Sequence, residues 1–414
     1  MTNTIADLQI HSSHSRATSK NITFQNLEKF ARMKGLNLLG TGDFQHPKQF
    51  ESINDELKED DKGILWTKTK FPFLLQTEIS LIYTQNGKGQ RVHHLIFSPN
   101  LDVAKQIIDK LGSKGRLDYD GRPIFGFGSI ELVDMMRSIS EDIEIIPAHI
   151  WTPHFSLMGE YNQLTKVENC FESNTKYIHA LETGMSSDPA DNWRLSILDK
   201  FQLVSFSDAH SMWPYRLGRE ATVFDFNELS YKNFLKAVRT GKGLKSTIET
   251  PTFYGKYHLS GHRNCNFVVS PKESLKLNQI CPKCGNRFVI GVGDRIESLA
   301  DRLGGYKREN AIPFVSLVPL HELISSIYDI KQLGSKKVWE TYNLLIKNFK
   351  NEFNVLLNIP EDELKKTVHE KLAKIILMNR EGKLKIKAGF DGVYGMIELD
   401  EKDKVKTQTH LNQF

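Results

Sequence analysis

What most constrains this chain is a series of short apolar runs, each delivering a histidine or a carboxylate at or just beyond its end. In order they are Asp7-Leu8-Gln9-Ile10-His11, Leu38-Leu39 leading to Asp43 and His46, Phe73-Leu74-Leu75 leading to Glu78, Val92-His93-His94, Ile145-Ile146 leading to His149, and Leu203-Val204 leading to Asp208 and His210. Each run is short enough for a buried strand, and helix-like stretches separate several of them. Where parallel strands alternate with helices, the strand C-termini converge on one face, and barrel enzymes keep their chemistry there. Side chains from distant positions then meet in one cleft. Imidazole and carboxylate meeting in this way form a ligand set for zinc, manganese or iron. One histidine beside a strand is ordinarily structural; six such runs in one chain point to a metal centre.

At 414 residues the chain exceeds a typical single domain, so one large domain with one or two smaller modules is expected. Its hydrophobic and charged fractions, 39% and 25%, exclude a disordered class. The N-terminal Met-Thr-Asn-Thr-Ile-Ala-Asp lacks a basic segment followed by an apolar one, and no apolar stretch approaches a membrane span. A cytoplasmic protein with no membrane partner is therefore expected.

Residues 1–245 carry the alternation, which predicts an α/β fold, a distorted barrel of about seven strands. Within it, Asn21–Lys34 reads as an amphipathic helix ended by Gly35, followed by the strand Leu36–Gly40. Phe71–Tyr83 and Arg91–Phe97 flank Asn86-Gly87-Lys88-Gly89, the signature of a β-hairpin. Residues 112–129 are glycine-rich and basic, and read as an excursion over the active face. Ile178–Thr183 and Phe201–Phe206 supply the last strands and Ser230–Arg239 a closing helix. Residues 311–407 are expected to be mostly helical, with apolar spacing in Leu320–Ile330, Val338–Phe349 and Leu364–Met378 before the glycine-punctuated Lys385–Ile397.

Between these regions, residues 246–310 form a small cysteine-bearing module. Of the four cysteines, Cys265, Cys281 and Cys284 fall here, which suits metal binding in a reducing cytosol better than a disulfide framework. The spacing His262-x2-Cys265-x15-Cys281-x2-Cys284 predicts a closed tetrahedral zinc site with a structural role. His258 competes as fourth ligand, and Cys170 belongs to neither site. Residues 251–310 hold ten Lys/Arg against five Asp/Glu, an excess equal to the +5 of the whole chain. A basic module beside a metal-rich domain suggests a polyanionic partner, nucleic acid first.

The ordered set of His11, Asp43, Glu78, His93, His149, Asp208 and His210 resembles the polymerase and histidinol phosphatase (PHP) superfamily. A narrower likeness is carried by Ser15-Arg-Ala-Thr-Ser-Lys20, Gly40-Thr-Gly-Asp43, Pro147-Ala-His149-Ile-Trp-Thr-Pro153, Glu182-Thr-Gly-Met-Ser-Ser-Asp188, Ser207-Asp-Ala-His210, Gly261-His-Arg-Asn-Cys265, Cys281-Pro-Lys-Cys284 and Gly389-Phe-Asp-Gly-Val-Tyr-Gly395. These resemble endonuclease Q and its relatives over nearly the whole chain. The resemblance implies a distorted (β/α)7 barrel holding two or three divalent metals at its mouth. It also implies nicking of DNA on the 5′ side of deaminated bases (uracil, hypoxanthine, xanthine) and of abasic sites, in a cytoplasmic, nucleoid-associated protein of a prokaryote, an archaeal one by expectation.

On this reading Glu78, Asp208 and His210 are the catalytic groups, and His11, Glu78, His93, His149, Asp208 and His210 hold zinc, manganese or magnesium. Asp43 and His46 follow as further ligands, Phe44 standing where many superfamily members place a histidine. His93 is chosen over His94 because adjacent residues on a strand face opposite ways. His154 and His179 are taken as structural. The superfamily's His-x-His here reads Gln9-Ile10-His11. A neutral amide oxygen is a poorer zinc ligand, so a weakened or altered metal subsite is expected, with His14 a candidate to compensate.

Arg16, Lys20, Arg194, Arg216 and Arg219 are candidates for holding flanking phosphates, and Trp151, Trp193 and Trp213 for stacking on an extruded base. The expected partner is double-stranded DNA containing a damaged base. The C-terminal Gln408-Thr-His-Leu411-Asn-Gln-Phe414 fits the pattern of sliding-clamp-binding peptides, with Gln408, Leu411 and Phe414 as anchors. Two rival functions are a phosphatase of a small phosphomonoester and a non-catalytic lesion-binding protein.

Overall fold

The computed structural model describes residues 3–405. The clamp-like sequence around Gln408, Leu411 and Phe414 lies outside the described residues.

Helix α1 (Phe24–Lys34) begins where the Thr23 side chain accepts the Asn26 N–H, and ends at Gly35, whose φ of 101° only glycine adopts readily. It carries the chain from strand β1 (Thr4–Asp7) to a parallel neighbour, β2 (Leu38–Gly40). β2 pairs in parallel with β3 (Pro72–Leu74), and after Leu75 the chain continues as β4 (Gln76–Gln85). β4 and β5 (Lys88–Phe97) form the expected hairpin. Asn86 and Gly87 at its tip have φ of 51° and 74°, as a type I′ turn requires. β5 then pairs antiparallel with β6 (Glu144–Pro147).

The circuit continues where the Ile150 N–H, just past β6, donates to the carbonyl of Glu182 at the end of β7 (Ala180–Glu182). β7 is parallel to β8 (Gln202–Val204), and beyond β8 Ala209 bridges in parallel to Ile10, beyond β1. Successive strand segments contribute Leu8, Leu38, Leu74, Leu95, Ile146, Ala180 and Val204 to one fully buried cluster. β1 also pairs antiparallel with β9 (Ala221–Phe224), which leads through β10 (Leu244–Glu249) to β11 (Phe314–Ser316).

This architecture is mixed α/β, carries the expected hairpin, and corrects one expectation, that the site residues sit at or beyond the C-terminal ends of parallel strands. A two-residue turn can join only antiparallel strands, so β5 opposes both neighbours, and His93 and Glu78 lie within strands rather than beyond C-terminal ends.

The cysteine-bearing segment pairs Ser260–His262 with Phe267–Val269. It reaches the strand circuit through Glu297 on Arg194 (2.6 Å), Asp301 on the Ser196 N–H (2.9 Å) and the fork of Arg302 on Asp199 (2.9 and 2.5 Å). Among the described residues five α-helices follow: Leu320–Ile327, Lys336–Phe349, Glu352–Leu357, Glu361–Thr367 and Glu370–Arg380. The third has no counterpart among the expected helices, and the predicted Leu364–Met378 helix is broken at Val368, after which the His369 side chain caps the next helix. A buried pair, Lys34 Nζ to Glu352 Oε1 at 2.7 Å, ties these helices to α1. Lys385–Ile397 makes a short antiparallel pair, Ile386–Lys387 with Met396–Ile397, that lies on Phe253–Lys256. Among the described residues no helix is long and apolar enough to cross a membrane.

Candidate metal centre

Two groups of side chains converge where the β1, β4, β5 and β6 strand segments meet the turn after β8. One is His11, Asp208 and His210; the other is Glu78, His93 and His149. In the second, Glu78 Oε1 lies 2.6 Å from His93 Nδ1 and 3.5 Å from His149 Nε2. In the first, His11 Nε2 lies 3.1 Å from Asp208 Oδ1, and the His210 ring stands 4.6 Å from that of His11. His11 Nε2 is also 3.0 Å from Glu78 Oε2, so the groups are contiguous.

The main chain is bent to this purpose. Asp43, His149 and Asp208 have φ of 45°, 32° and 49°, a left-handed region that side-chain-bearing residues seldom occupy and that concentrates at functional sites. Gly184 makes room for one of them, since a Cβ there would fall 2.6 Å from the His149 Cβ.

Electrostatically the centre is polarised. Burial works to raise the Glu78 carboxyl, but His93 and Arg122 hold it well below the usual carboxylate range. Burial likewise opposes ionisation of Asp208, yet His210 and His11 hold it low. Burial pushes His93 down to about 4, leaving a neutral imidazole able to act as a ligand. His11 is displaced upward: burial would lower it, but Asp43, Asp208 and Glu78 together outweigh that.

Three buried oxygens here, Gln9 Oε1, Glu78 Oε1 and Glu182 Oε1, have no hydrogen-bond donor. Glu78 Oε1 faces His93 at short range but without hydrogen-bonding geometry. Buried oxygens left without donors are rare, and cations would satisfy them here. The donor set of imidazole and carboxylate fits divalent metal ions.

The remaining candidates divide. Asp43 stands behind His11: its Oδ1 is 3.0 Å from His11 Nδ1, while its Oδ2 accepts from the Ser12 N–H (2.6 Å), the Ser12 hydroxyl (2.7 Å) and the Ser15 hydroxyl (2.9 Å). With its lone pairs so engaged it orients the imidazole, as carboxylates behind metal-binding histidines do. His46 stacks on His14 at 4.5 Å, and neither is in the two groups. Gln9 Nε2 donates to Glu78 Oε2 at 3.2 Å. His94 turns away to the Ser129 hydroxyl (2.9 Å), His179 pairs with Glu144 (2.9 Å), and the His154 ring lies 6.5 Å from that of Tyr161.

The proposed stacking residues need correction. Trp151 is wholly buried with its indole N–H on Asn192 (2.8 Å), and Trp193 is packed edge-on against Phe314, so neither offers a ring face to a base. Trp213 is partly buried among Phe30, Tyr215 and Trp339. Arg194 is occupied by Glu297, and Arg216 by Glu322 (3.0 Å). Arg219 holds the Ser207 carbonyl through two N–H groups (3.1 and 3.0 Å), bracing the turn before Asp208. Arg16 and Lys20 are exposed; Arg16 pairs loosely with Asp120 (3.3 Å) and Lys20 Nζ donates to the Ser13 carbonyl (3.0 Å).

Two further groups at the centre are absent from the expected ligand set, although Glu182 heads one of the motifs that carry the family likeness. Glu182 ends the run Ala180-Leu181 in the same pattern as the other site residues; its Oε2 accepts the His149 N–H (2.7 Å), and burial, then Asp208 and Glu78, push its carboxyl well up. Arg122 lies in the excursion over residues 112–129, with its NH1 3.6 Å from Glu78 Oε1. Its only sequence signal is the Gly121-Arg122-Pro123 turn.

In the cysteine-bearing segment, His262, Cys265, Cys281 and Cys284 present ligand atoms within 4.8 Å of one another, and Cys284 Sγ is 3.2 Å from His262 Nδ1. His258 is elsewhere, against the Ser186 carbonyl, and Cys170 is buried beside Tyr83.

Several known proteins are similar. The MJ0043 C-terminal domain family matches residues 319–383. The lesion-specific endonuclease PfuEndoQ of Pyrococcus furiosus is 30% identical in sequence, with 99% of each chain covered and a TM-score of 0.86. A structure of Endonuclease Q with a 27-mer duplex substrate bearing an abasic lesion at the active site matches at the same identity and TM-score, covering 99% of this chain and 100% of that one. The uncharacterized protein MJ0043 of Methanocaldococcus jannaschii is 32% identical over 254 residues, 60% of this chain but 31% of that relative. The chain thus spans less than a third of the length of that relative.

Proposed function

The chain belongs to the endonuclease Q family of the PHP superfamily, and on that premise we propose that it is a metal-dependent DNA repair endonuclease. It cuts the phosphodiester 5′ of deaminated bases and abasic sites in duplex DNA. The observation that carries this reading is the pair of contiguous groups, His11–Asp208–His210 and Glu78–His93–His149, with donorless buried oxygens beside them.

The six residues of those groups would hold the ions, with Gln9 an added neutral oxygen donor. Divalent metals held there would activate a water nucleophile at neutral pH and offset the negative charge of the phosphodiester. The chain's own residues fix the arrangement. Asp43 holds His11 by its Nδ1, Arg219 braces the Ser207 carbonyl before Asp208, and Glu182 anchors the backbone of His149. We read the strand circuit of residues 1–245 as a distorted (β/α)7 barrel. Residues 246–310 form a basic module closed by structural zinc on His262, Cys265, Cys281 and Cys284, and residues 311–407 a helical DNA-contacting region. Residues 408–414 would bind a sliding clamp. A cytoplasmic setting beside DNA follows from this activity.

The test is an end-labelled duplex carrying one uracil, hypoxanthine or abasic site. A single nick on the 5′ side of the lesion, dependent on added divalent metal and abolished by chelation, is expected. Phosphate release from nitrophenyl phosphate without nicking would identify a phosphomonoesterase. Lesion binding without cleavage would identify a sensor.

A further inference from the structure

We infer that Arg122 binds the non-bridging oxygens of the scissile phosphate, an inference that rests on the phosphodiesterase reading above. Its backbone is fixed on both sides. The Gly121 N–H donates to the His14 carbonyl (3.1 Å), Gln45 Nε2 donates to the Gly121 carbonyl (2.7 Å), and the Pro123 carbonyl accepts the Ser80 N–H (3.0 Å). Asp120 Oδ1 takes the N–H of Arg122 itself at 3.1 Å. Gly121 permits this approach, since a Cβ there would lie 2.3 Å from both Asp43 Oδ2 and Ser15 Oγ. The chain over the centre is therefore built to hold residue 122 in one place.

The side chain so placed is not used up by the protein. It is 27% exposed, and its ion pair with Glu78, at 3.6 Å, is longer than a hydrogen bond. Among the described residues no hydrogen bond engages its guanidinium. The carboxylates that surround it are Glu78, Asp208 and Asp43, which on the reading above hold metal or stand directly behind a ligand, and Asp120, which is shared with Arg16. Once cations share those charges, a half-buried guanidinium beside them keeps little of its compensation, and a bound anion restores it. A phosphodiester offers two non-bridging oxygens matched to the parallel N–H groups of arginine.

Two variants separate this role from a counter-ion role. Arg122→Lys keeps the charge and removes the fork, and Arg122→Ala removes both. In both we expect single-turnover nicking of an abasic duplex to fall at least ~30-fold, with bound metal and melting temperature near wild type. Titration of inorganic phosphate into the manganese-loaded protein should show binding weakened ~10-fold or more in Arg122→Ala. Free guanidinium should restore part of the nicking in Arg122→Ala. Wild-type nicking and phosphate binding in both variants would overturn the inference, as would a loss of rate that follows loss of metal in both and is not rescued by guanidinium. If the wild-type protein itself does not nick lesion-bearing DNA, the functional reading fails, and this inference with it.

Discussion

Nε2 of His11 lies 3.0 Å from Oε2 of Glu78, and this contact joins two groups that otherwise come from different parts of the strand circuit. Glu78 sits among His93 and His149, and His11 among Asp208 and His210. Oε1 of Glu78 faces His93 and His149 while Oε2 faces His11, so Glu78 would serve both groups were cations held there.

Asp208→Asn tests the centre most cleanly. Asparagine tolerates the left-handed backbone that Asp208 adopts, so the substitution removes charge without forcing the turn to rearrange. Nicking should fall ~100-fold or more, with metal content reduced and duplex binding retained in a gel-shift assay. A wild-type rate would mean that the cleavage site is elsewhere.

Gln9→His adds an imidazole where the amide oxygen has no donor. If Gln9 limits one metal subsite, the variant should bind more metal per chain, or reach half-maximal activity at lower metal concentration. Elemental analysis with a metal titration of nicking decides this, and unchanged values in both would remove Gln9 from the coordination set.

In the cysteine-bearing segment, Cys281→Ser should abolish one zinc per chain and lower the melting temperature, because ligand binding and folding are one equilibrium at such sites. Zinc content equal to that of the wild type would exclude the four-ligand arrangement.

Glu220 gives the stability of the fold a pH dependence. Burial pushes its carboxyl up to about 8, although Arg219, Thr250 and Ser205 partly counter this. The folded protein therefore retains a proton that an unfolded glutamate gives up near pH 4.3. Stability should fall as pH rises from ~4.3 toward 8 and level off above. Glu220→Gln keeps the neutral shape and should be increasingly more stable than wild type across that window. Denaturant melts at pH 5 and pH 8.5 give the comparison; identical pH profiles would show that Glu220 is not held neutral.

Deleting residues 408–414 should leave nicking of short oligonucleotides unchanged while abolishing binding to a sliding clamp, measured by surface plasmon resonance. Undiminished clamp binding by the truncated chain would refute the motif.

Most residues of the two groups are legible in the sequence because apolar runs announce strands, and strand pairing gathers the side chains at the ends of those runs. Alternation along a strand separates His93 from His94: one faces Glu78 and the other Ser129. Depth is not legible. Asp43 comes after a strand as Asp208 does, yet Ser12 and Ser15 occupy its oxygens and leave it behind His11. Sequence proximity misleads for Trp151 and Trp193, whose neighbours in the chain are site residues but whose rings face the core. Arg122 is hidden because a loop folded over the site places it there, and no periodicity betrays such a fold-back.

The left-handed main chain at Asp43, His149 and Asp208 has a consequence for which side chains these three positions tolerate. Such conformations cost about 1 kcal/mol or more each and are least unfavourable for asparagine, aspartate and histidine, so a β-branched replacement there would be penalised by its backbone before any chemistry is lost.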